Sequence, residues 1–547
     1  MAQIEIKDLS FKYKTTNDYS LKNVSLKIEK GDFVAVCGKT GCGKTTLIKS
    51  LKPDIMPAGE KKGQVIFQDK EIEQWDNATV SKKIGYVMQN PEHQIVTDKV
   101  WHELAFGLEN FGEKSNAIRA KVAEIAEYFD ITSWYNQDTE KLSGGQKQLL
   151  NLAAVMVMDP EVLLLDEPTS QLDPIAAERF LDTLKKINSD FGITIIISEH
   201  RLNYLLSMAD KMLVMDDGRI IENDNTEEAV EKVLNTDIRP LMPIPSIVFA
   251  KNNGKGQVPI SINQGRKWLE NQNIKNTEKI SESQNIKSVK KEHEGQNIKN
   301  IEKMSEKQDI KKQKTDNRLK VSLQCKNLWF RYEKNQEDVI KGLDFKAYQG
   351  EIMAVLGGNG TGKTTTIKVL AGLLKAYRGK VKLNGKIGLL PQNAQMLFRY
   401  ESVQEELEDV DDLLIKEMGL EEFARMHPYD LSGGQQQKVA LAKVLSLNPD
   451  ILLLDEPTKG IDNIYKEQLG VMLCKLKQKN KTIIMVSHDL DFCGQYADRC
   501  GLFANGTLIS IDDSDKFFNN NRFYTTTVAK MCRGLVDGAY RVEDVIC

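Results

Sequence analysis

Two glycine-rich stretches carry a lysine and threonines at spacings suited to phosphate. Gly38-Lys39-Thr40-Gly41-Cys42-Gly43-Lys44-Thr45 runs on to Thr46, and Gly357-Gly358-Asn359-Gly360-Thr361-Gly362-Lys363-Thr364 runs on to Thr365. Glycines at these positions let backbone N–H groups converge on phosphate oxygens at a helix N-terminus. Lys44 and Lys363 then reach the β- and γ-phosphates, and the hydroxyls of Thr45 and Thr364 hold Mg²⁺. Asp166 and Asp455, each ending an apolar run, suit the metal's second anchor. Glu167 and Glu456 follow directly, placed to polarise an attacking water. Gln89 and Gln392 lie after Gly85-Tyr86-Val87-Met88 and Gly388-Leu389-Leu390-Pro391, where a glutamine touches both metal and water. A lone histidine is usually a packing or surface residue. His200 and His488 stand in the same frame behind the same kind of apolar strand, which favours a γ-phosphate sensor in each.

The elements that must position these groups also occur twice. Phe33 to Cys37 and Ile352 to Leu356 are short apolar strands leading into the glycine loops, with a helix after each lysine. Val162 to Leu165 and Ile451 to Leu454 are strands ending in carboxylates; Ile193 to Ile197 and Thr482 to Val486 precede the histidines. Leu142-Ser143-Gly144-Gly145-Gln146 returns as Leu431-Ser432-Gly433-Gly434-Gln435 in the same order, so a whole domain is duplicated. Lys44 to Ser143 is 99 residues and Lys363 to Ser432 is 69, so the second copy is about 30 shorter there. Short strands alternating with helices predict a largely parallel α/β sheet in each copy.

The chain has 547 residues, too many for one core. With 75 basic and 78 acidic residues it has no basic field, and nucleic acid is not an expected partner. Eight cysteines without a CxxC pair argue against a disulfide scaffold or a structural zinc site. The N-terminus lacks the pattern of a signal peptide, and the longest apolar runs are strand-length, so a soluble chain is expected. Between the copies Gln272-Asn273-Ile274-Lys275 recurs every 12 residues, in variant form as far as Gln308-Asp309-Ile310-Lys311. Twelve residues rotate each lone isoleucine by about 120° on a helix, so no apolar stripe forms. The reading is a flexible, solvated tether. Expected boundaries are a first domain at 1–237 and a polar linker at 238–320 with repeats across 272–319. A second domain at 321–530 and a tail at 531–547 follow.

LSGGQ ahead of a strand ending in Asp-Glu-Pro-Thr, after a phosphate loop, resembles the ABC-type ATPases over everything but the tether. The resemblance implies two P-loop ATPase domains in tandem, each with a helical subdomain, pairing head to tail within one chain. Tyr13 and Tyr332, each 25 residues before the first loop glycine, would stack on adenine. Asp173 and Asp462 would lie in loops that communicate across the pair. Each ATP would lie between one phosphate loop and the opposite signature. Lys44, Asp166, Glu167 and His200 would share a nucleotide with Ser432, Gly433, Gly434 and Gln435. Lys363, Asp455, Glu456 and His488 would share the other with Ser143, Gly144, Gly145 and Gln146.

Gln89-Asn90-Pro91-Glu92-His93-Gln94-Ile95-Val96 and Ala105-Phe106-Gly107-Leu108-Glu109-Asn110 resemble the ATPases of energy-coupling factor (ECF) transporters, where a short helix after the glutamine docks a membrane subunit. Asp455 to Asp462, Phe523-Tyr524-Thr525-Thr526 and Val542 to Ile546 fit the same group. The second copy, Gln392 to Phe398, lacks the Pro-Asp/Glu element, so the docking resemblance attaches to the first. The implied role is an importer ATPase at the cytoplasmic face of the membrane, working with a coupling subunit and a substrate-binding subunit. Another tandem importer ATPase, such as the monosaccharide type, and an ABC-F-like translation factor are the alternatives.

Overall fold

The computed structural model describes residues 2–14, 18–272 and 320–545. Apart from Gln272, the twelve-residue repeats lie outside the described residues. In the first copy a six-stranded sheet runs Arg219–Asn225, Lys211–Asp216, Phe33–Gly38, Thr194–Ser198, Val162–Asp166, Ile84–Val87. The second copy repeats it as Thr507–Asp513, Arg499–Ala504, Ile352–Leu356, Thr482–Ser487, Ile451–Asp455, Ile387–Leu390. All neighbours are parallel except the outermost pair, Arg219–Asn225 or Thr507–Asp513, which returns antiparallel. The central strands are covered on both faces, and every residue of Val162–Asp166 and Ile451–Asp455 is buried. That explains their unbroken apolar runs. Beside each main sheet lies a smaller antiparallel one, centred on Ala2–Tyr13 and on Val321–Phe330.

The shortening of the second copy divides between two places. Residues 68–83 of the first, with strand Lys70–Glu71 and helix Asn77–Lys83, are replaced by a short turn between Leu383 and Ile387. Helices Val100–Asn110 and Ser115–Tyr128 are reduced to Val403–Glu406 and Asp412–Glu417. Neither change touches a strand that carries chemistry.

The linker boundary differs from the sequence reading. Residues 238–272 carry the turn Arg239–Leu241 and helices Ile244–Lys251 and Ile262–Asn271. The second helix starts from a capping box, Ser261 and Gln264 satisfying each other's backbone N–H. Polar composition hid it, because only Gly265, Trp268 and Leu269 are buried along its length. It packs on helix Thr527–Cys532 of the chain's far end, whose Val528, Met531 and Cys532 belong to the first copy's core. The expected division at 530/531 therefore cuts through a helix. Lys251 Nζ lies 3.0 Å from Glu543 Oε1, and Asn252 donates to Val545 O at 2.7 Å, tying the two copies together.

Candidate active site

Each phosphate loop joins a buried strand to helix Lys44–Ser50 or Lys363–Leu370. Gly43 and Gly362 sit at the helix N-cap with φ of 101° and 105°, and a Cβ there would meet Ser20 O at 2.5 Å or Val339 O at 2.8 Å. Only glycine permits both the left-handed backbone and the close approach. Lys44 Nζ donates to the carbonyls of Gly38 and Lys39, both at 3.0 Å; Lys363 Nζ donates to Gly357 and Gly358 at 3.0 and 2.8 Å. Neither buried ammonium has a carboxylate partner among the described residues, so each is available to an anion in the loop.

Thr45 Oγ1 donates to Asp166 Oδ1 at 2.9 Å and Thr364 Oγ1 to Asp455 Oδ1 at 3.1 Å. These hard oxygen donors fit Mg²⁺, which takes one or two protein ligands and completes its shell from phosphate and water. Burial, with Glu167 adding to it, pushes the Asp166 carboxyl up; burial raises Asp455 to about 6, with Glu456 contributing. A divalent cation would relieve that. No cluster of three or more His, Cys, Asp or Glu side chains forms a closed metal site among the described residues.

Glu167 and Glu456 adopt left-handed backbone, with φ of 45° and 53°. This conformation costs a non-glycine residue about 1–3 kcal/mol and marks functional positions. It is held by the neighbouring strand, where Glu167 N donates to Ser198 O at 3.1 Å and Glu456 N to Val486 O at 2.9 Å. Burial opposes ionisation of Glu167, yet His200 and Lys44 outweigh it and hold its carboxyl below the ordinary range. Glu456 balances burial against His488 and Lys363 with the same outcome. His200 Nε2 lies 2.9 Å from Glu167 Oε1, and His488 Nδ1 lies 2.6 Å from Glu456 Oε2. Both glutamates are thus poised as carboxylates.

Gln89 Nε2 donates to Glu167 Oε2 at 2.8 Å, whereas the exposed Gln392 makes no such bond to Glu456 among the described residues. Tyr13 and Tyr332 bond through their hydroxyls to Thr46 Oγ1 at 2.8 Å and Thr365 Oγ1 at 3.0 Å. Their rings therefore flank the phosphate loops. Tyr332 is 54% exposed, open to a planar ligand.

Ser143 and Ser432 cap helices Gly144–Met156 and Gly433–Ser446, each in a capping box with the glutamine three residues on. Cβ atoms built on Gly144 and Gly433 would meet nothing within 4 Å, so both helix ends are open. They face the opposite copy. A Cβ on Gly434 would be 3.6 Å from Thr40 Cγ2 in the first phosphate loop. Asp462 Oδ2 accepts from Thr40 N at 2.6 Å. Ser143, Gly145, Gln146 and Asp173 line one cavity of about 530 Å³ with Gly357, Gly358 and His488 of the second copy. The signatures and phosphate loops thus meet across copies.

Several participants escaped the sequence reading. Ser198 Oγ donates to Asp166 Oδ1 at 2.8 Å and accepts from Glu167 N at 3.0 Å, where the second copy has Val486. Buried Glu199 accepts from Thr169 N at 2.8 Å, and Arg201 crosses to the second copy. Superposing the two histidine segments by frame would have exposed these differences. The second copy also forms a turn after its glutamine despite lacking the Pro-Asp/Glu element. Asn90 caps Pro91–His93 and Asn393 caps Ala394–Leu397. Glu103 and Glu406 then each accept from two amides just beyond the turn.

A family model described as ABC transporter matches residues 21–170 and 340–459. A Bacillus thuringiensis protein called a putative ABC transporter ATP-binding protein is 37% identical, over 100% of this chain and 98% of that relative. A Methanosarcina acetivorans protein of the same description is 32% identical over 93% of this chain and 84% of its own length. Among solved structures, an archaeal ribosome recycling factor in complex with a ribosomal stalk protein has a TM-score of 0.57. It is 20% identical, covering 94% of this chain and 91% of that one. The last likeness is one of fold alone.

Proposed function

This chain belongs to the ABC transporter family of ATP-binding proteins, and from that premise we propose that it is the ATP-hydrolysing subunit of an ECF-type importer. It would energise uptake of a vitamin or metal micronutrient through separate membrane subunits. Two composite sites do the chemistry. Lys44 and the amides of its loop bind the β- and γ-phosphates, and Ser432 with the open end of its helix closes on the γ-phosphate from the other copy. Glu167, kept ionised beside His200, orients the attacking water and takes its proton. Lys363, Glu456 and His488 act likewise with Ser143. Mg²⁺, held by Thr45 and Asp166 or by Thr364 and Asp455, with Gln89 or Gln392 beside it, would neutralise charge on the β- and γ-oxygens.

The observation that carries the membrane role is the turn after Gln89. Its interior is committed: Gln94 accepts from Met88 N at 2.9 Å and donates to Tyr86 O at 3.1 Å. Just beyond it Val96 is 68% exposed, and Trp101, at the start of helix Val100–Asn110, is 40% exposed. An apolar partner pressing there is connected to the catalytic carboxylate through Gln89. No helix among the described residues is long and apolar enough to cross a membrane; in the proposed reading the partner is a separate membrane-spanning chain, with this subunit on its cytoplasmic side.

The test is Val96→Asp combined with Met396→Asp, the exposed residue of the second turn. Recovery of polytopic membrane chains with the tagged protein should fall about tenfold, with basal ATPase within about twofold of the parent. Undiminished recovery overturns the docking assignment.

A further inference from the structure

The histidine segments of the two copies align residue by residue: Thr194-Ile195-Ile196-Ile197-Ser198-Glu199-His200-Arg201 against Thr482-Ile483-Ile484-Met485-Val486-Ser487-His488-Asp489. The sheet register agrees, since Asp166 pairs with Ser198 and Asp455 with Val486. After each histidine the copies therefore diverge, arginine in the first and aspartate in the second. Asp489 stays within its own copy, 2.6 Å from Lys466 Nζ. Arg201 leaves its copy. Its Nη1 donates to Leu172 O at 3.1 Å, inside the loop that ends at Asp173, and its Nη2 meets His488 Nε2.

A guanidinium has only donors, so the ring nitrogen it meets must offer a lone pair. The other ring nitrogen, Nδ1, lies 2.6 Å from Glu456 Oε2, oblique to a straight hydrogen bond. A carboxylate on that side calls for a proton on Nδ1. In the first copy the opposite nitrogen, Nε2, faces the glutamate. We propose that Arg201, contributed by the first copy, is a positioning residue for the second active site, holding His488 neutral with its proton on Nδ1 toward Glu456. The first site has no counterpart, because Asp489 occupies the equivalent position. Since Arg201 also grips Leu172, a shift of the first copy's Ser170–Asp173 loop carries the guanidinium with it. Through this contact the first copy sets the histidine of the second site, and Asp489 makes no equivalent contact in return among the described residues. This inference rests on the composite-site reading above.

The test is to label the full chain with ¹⁵N-histidine and read tautomers by NMR without nucleotide. His488→Gln identifies the resonance among the six histidines. The parent should show His488 as the Nδ1–H tautomer. Arg201→Met should convert most of it to Nε2–H or to an averaged signal, leaving His200 unmoved. Arg201→Lys, which keeps a cationic donor, should retain at least half of the Nδ1–H population. Arg201→Met should also lower kcat about tenfold with the KM for ATP within about twofold. An Nε2–H parent, a tautomer indifferent to Arg201→Met, or an unchanged kcat alongside an altered tautomer overturns the proposal. Should Arg201→Met not fold, the parent and Arg201→Lys spectra decide alone. The tautomer is read without ATP, so its failure is distinct from failure of the composite sites, which rests on turnover of cross-copy variants.

Discussion

Asp489 shows how one side chain in a shared frame can take on a local duty. It accepts from Phe492 N at 3.0 Å and pairs with Lys466. Burial opposes its ionisation, but Lys466 and the amide win and hold its pKa at about 2, against an ordinary 3.8. A carboxyl depressed on folding stabilises above the unfolded pKa, and the contribution disappears as pH falls through the folded value. The shift corresponds to about 2 kcal/mol. Lys466 is the largest of the influences that oppose burial here, so Lys466→Met should reduce stability at pH 7 by about 2 kcal/mol or more in denaturant unfolding. The deficit should shrink as pH falls from about 4 toward 2; a constant deficit would refute the pairing. Residues of this scale were legible where chemistry depends on near neighbours in sequence. Lys44 and Lys363 begin their helices and Asp166 and Asp455 end their buried strands, the elements that their spacing predicts. The left-handed backbone of Glu167 and Glu456 was not legible, because it is imposed by hydrogen bonds from another strand. Arg201 was not legible either, because its partner is 287 residues away.

Helix Ile262–Asn271 makes the corresponding point for elements. Its sequence is polar enough to pass for linker, and its place is decided by one glycine. A Cβ on Gly265 would lie 2.5 Å from Met531 Sδ and 2.9 Å from Pro245 Cβ. The helix can therefore sit tightly between Ile244–Lys251 and Thr527–Cys532 only without a side chain there. Gly265→Leu should force these helices apart at a cost of about 1–3 kcal/mol, with Gly265→Ala costing less because Met531 can yield. Denaturant unfolding and limited proteolysis of the C-terminal segment check this. Parent-like stability and protection in Gly265→Leu would exclude the packing. Three inner strands of each six-stranded sheet, by contrast, were legible, since burial on two faces demands unbroken apolar runs, whereas the other strands and the smaller antiparallel sheets were not. The helical elements of the two copies were legible only in part. Their shortening in the second copy appeared in sequence only as a missing length, without saying which helices had shrunk.

At the scale of the whole molecule the mechanism depends on which groups serve the same nucleotide. Duplication was legible from order and spacing, but the pairing of copies entered only through resemblance. Asp462 on Thr40 N, Gly434 beside Thr40, and Ser143 facing Gly357 give it a physical basis. If these contacts define the sites, Lys44 and Ser432 serve one ATP and Lys363 and Ser143 the other. Lys44→Ala removes the charge that binds β- and γ-phosphates, and Ser432→Arg fills the opposing clamp, so either change alone disables the first site. Combining them should cost little beyond the worse single, as expected of residues acting as one unit. Lys44→Ala with Ser143→Arg, both in the first copy, should disable both sites and abolish turnover. Steady-state ATPase of the singles and doubles, with melting curves to verify folding, makes the measurement. If coupling between sites leaves every single nearly inactive, nucleotide trapped per site replaces turnover as the readout. A same-copy double that behaves like a single, while the cross-copy double loses everything, would mean that each copy hydrolyses alone. The contacts at Thr40 and Gly357 would then be packing rather than catalysis.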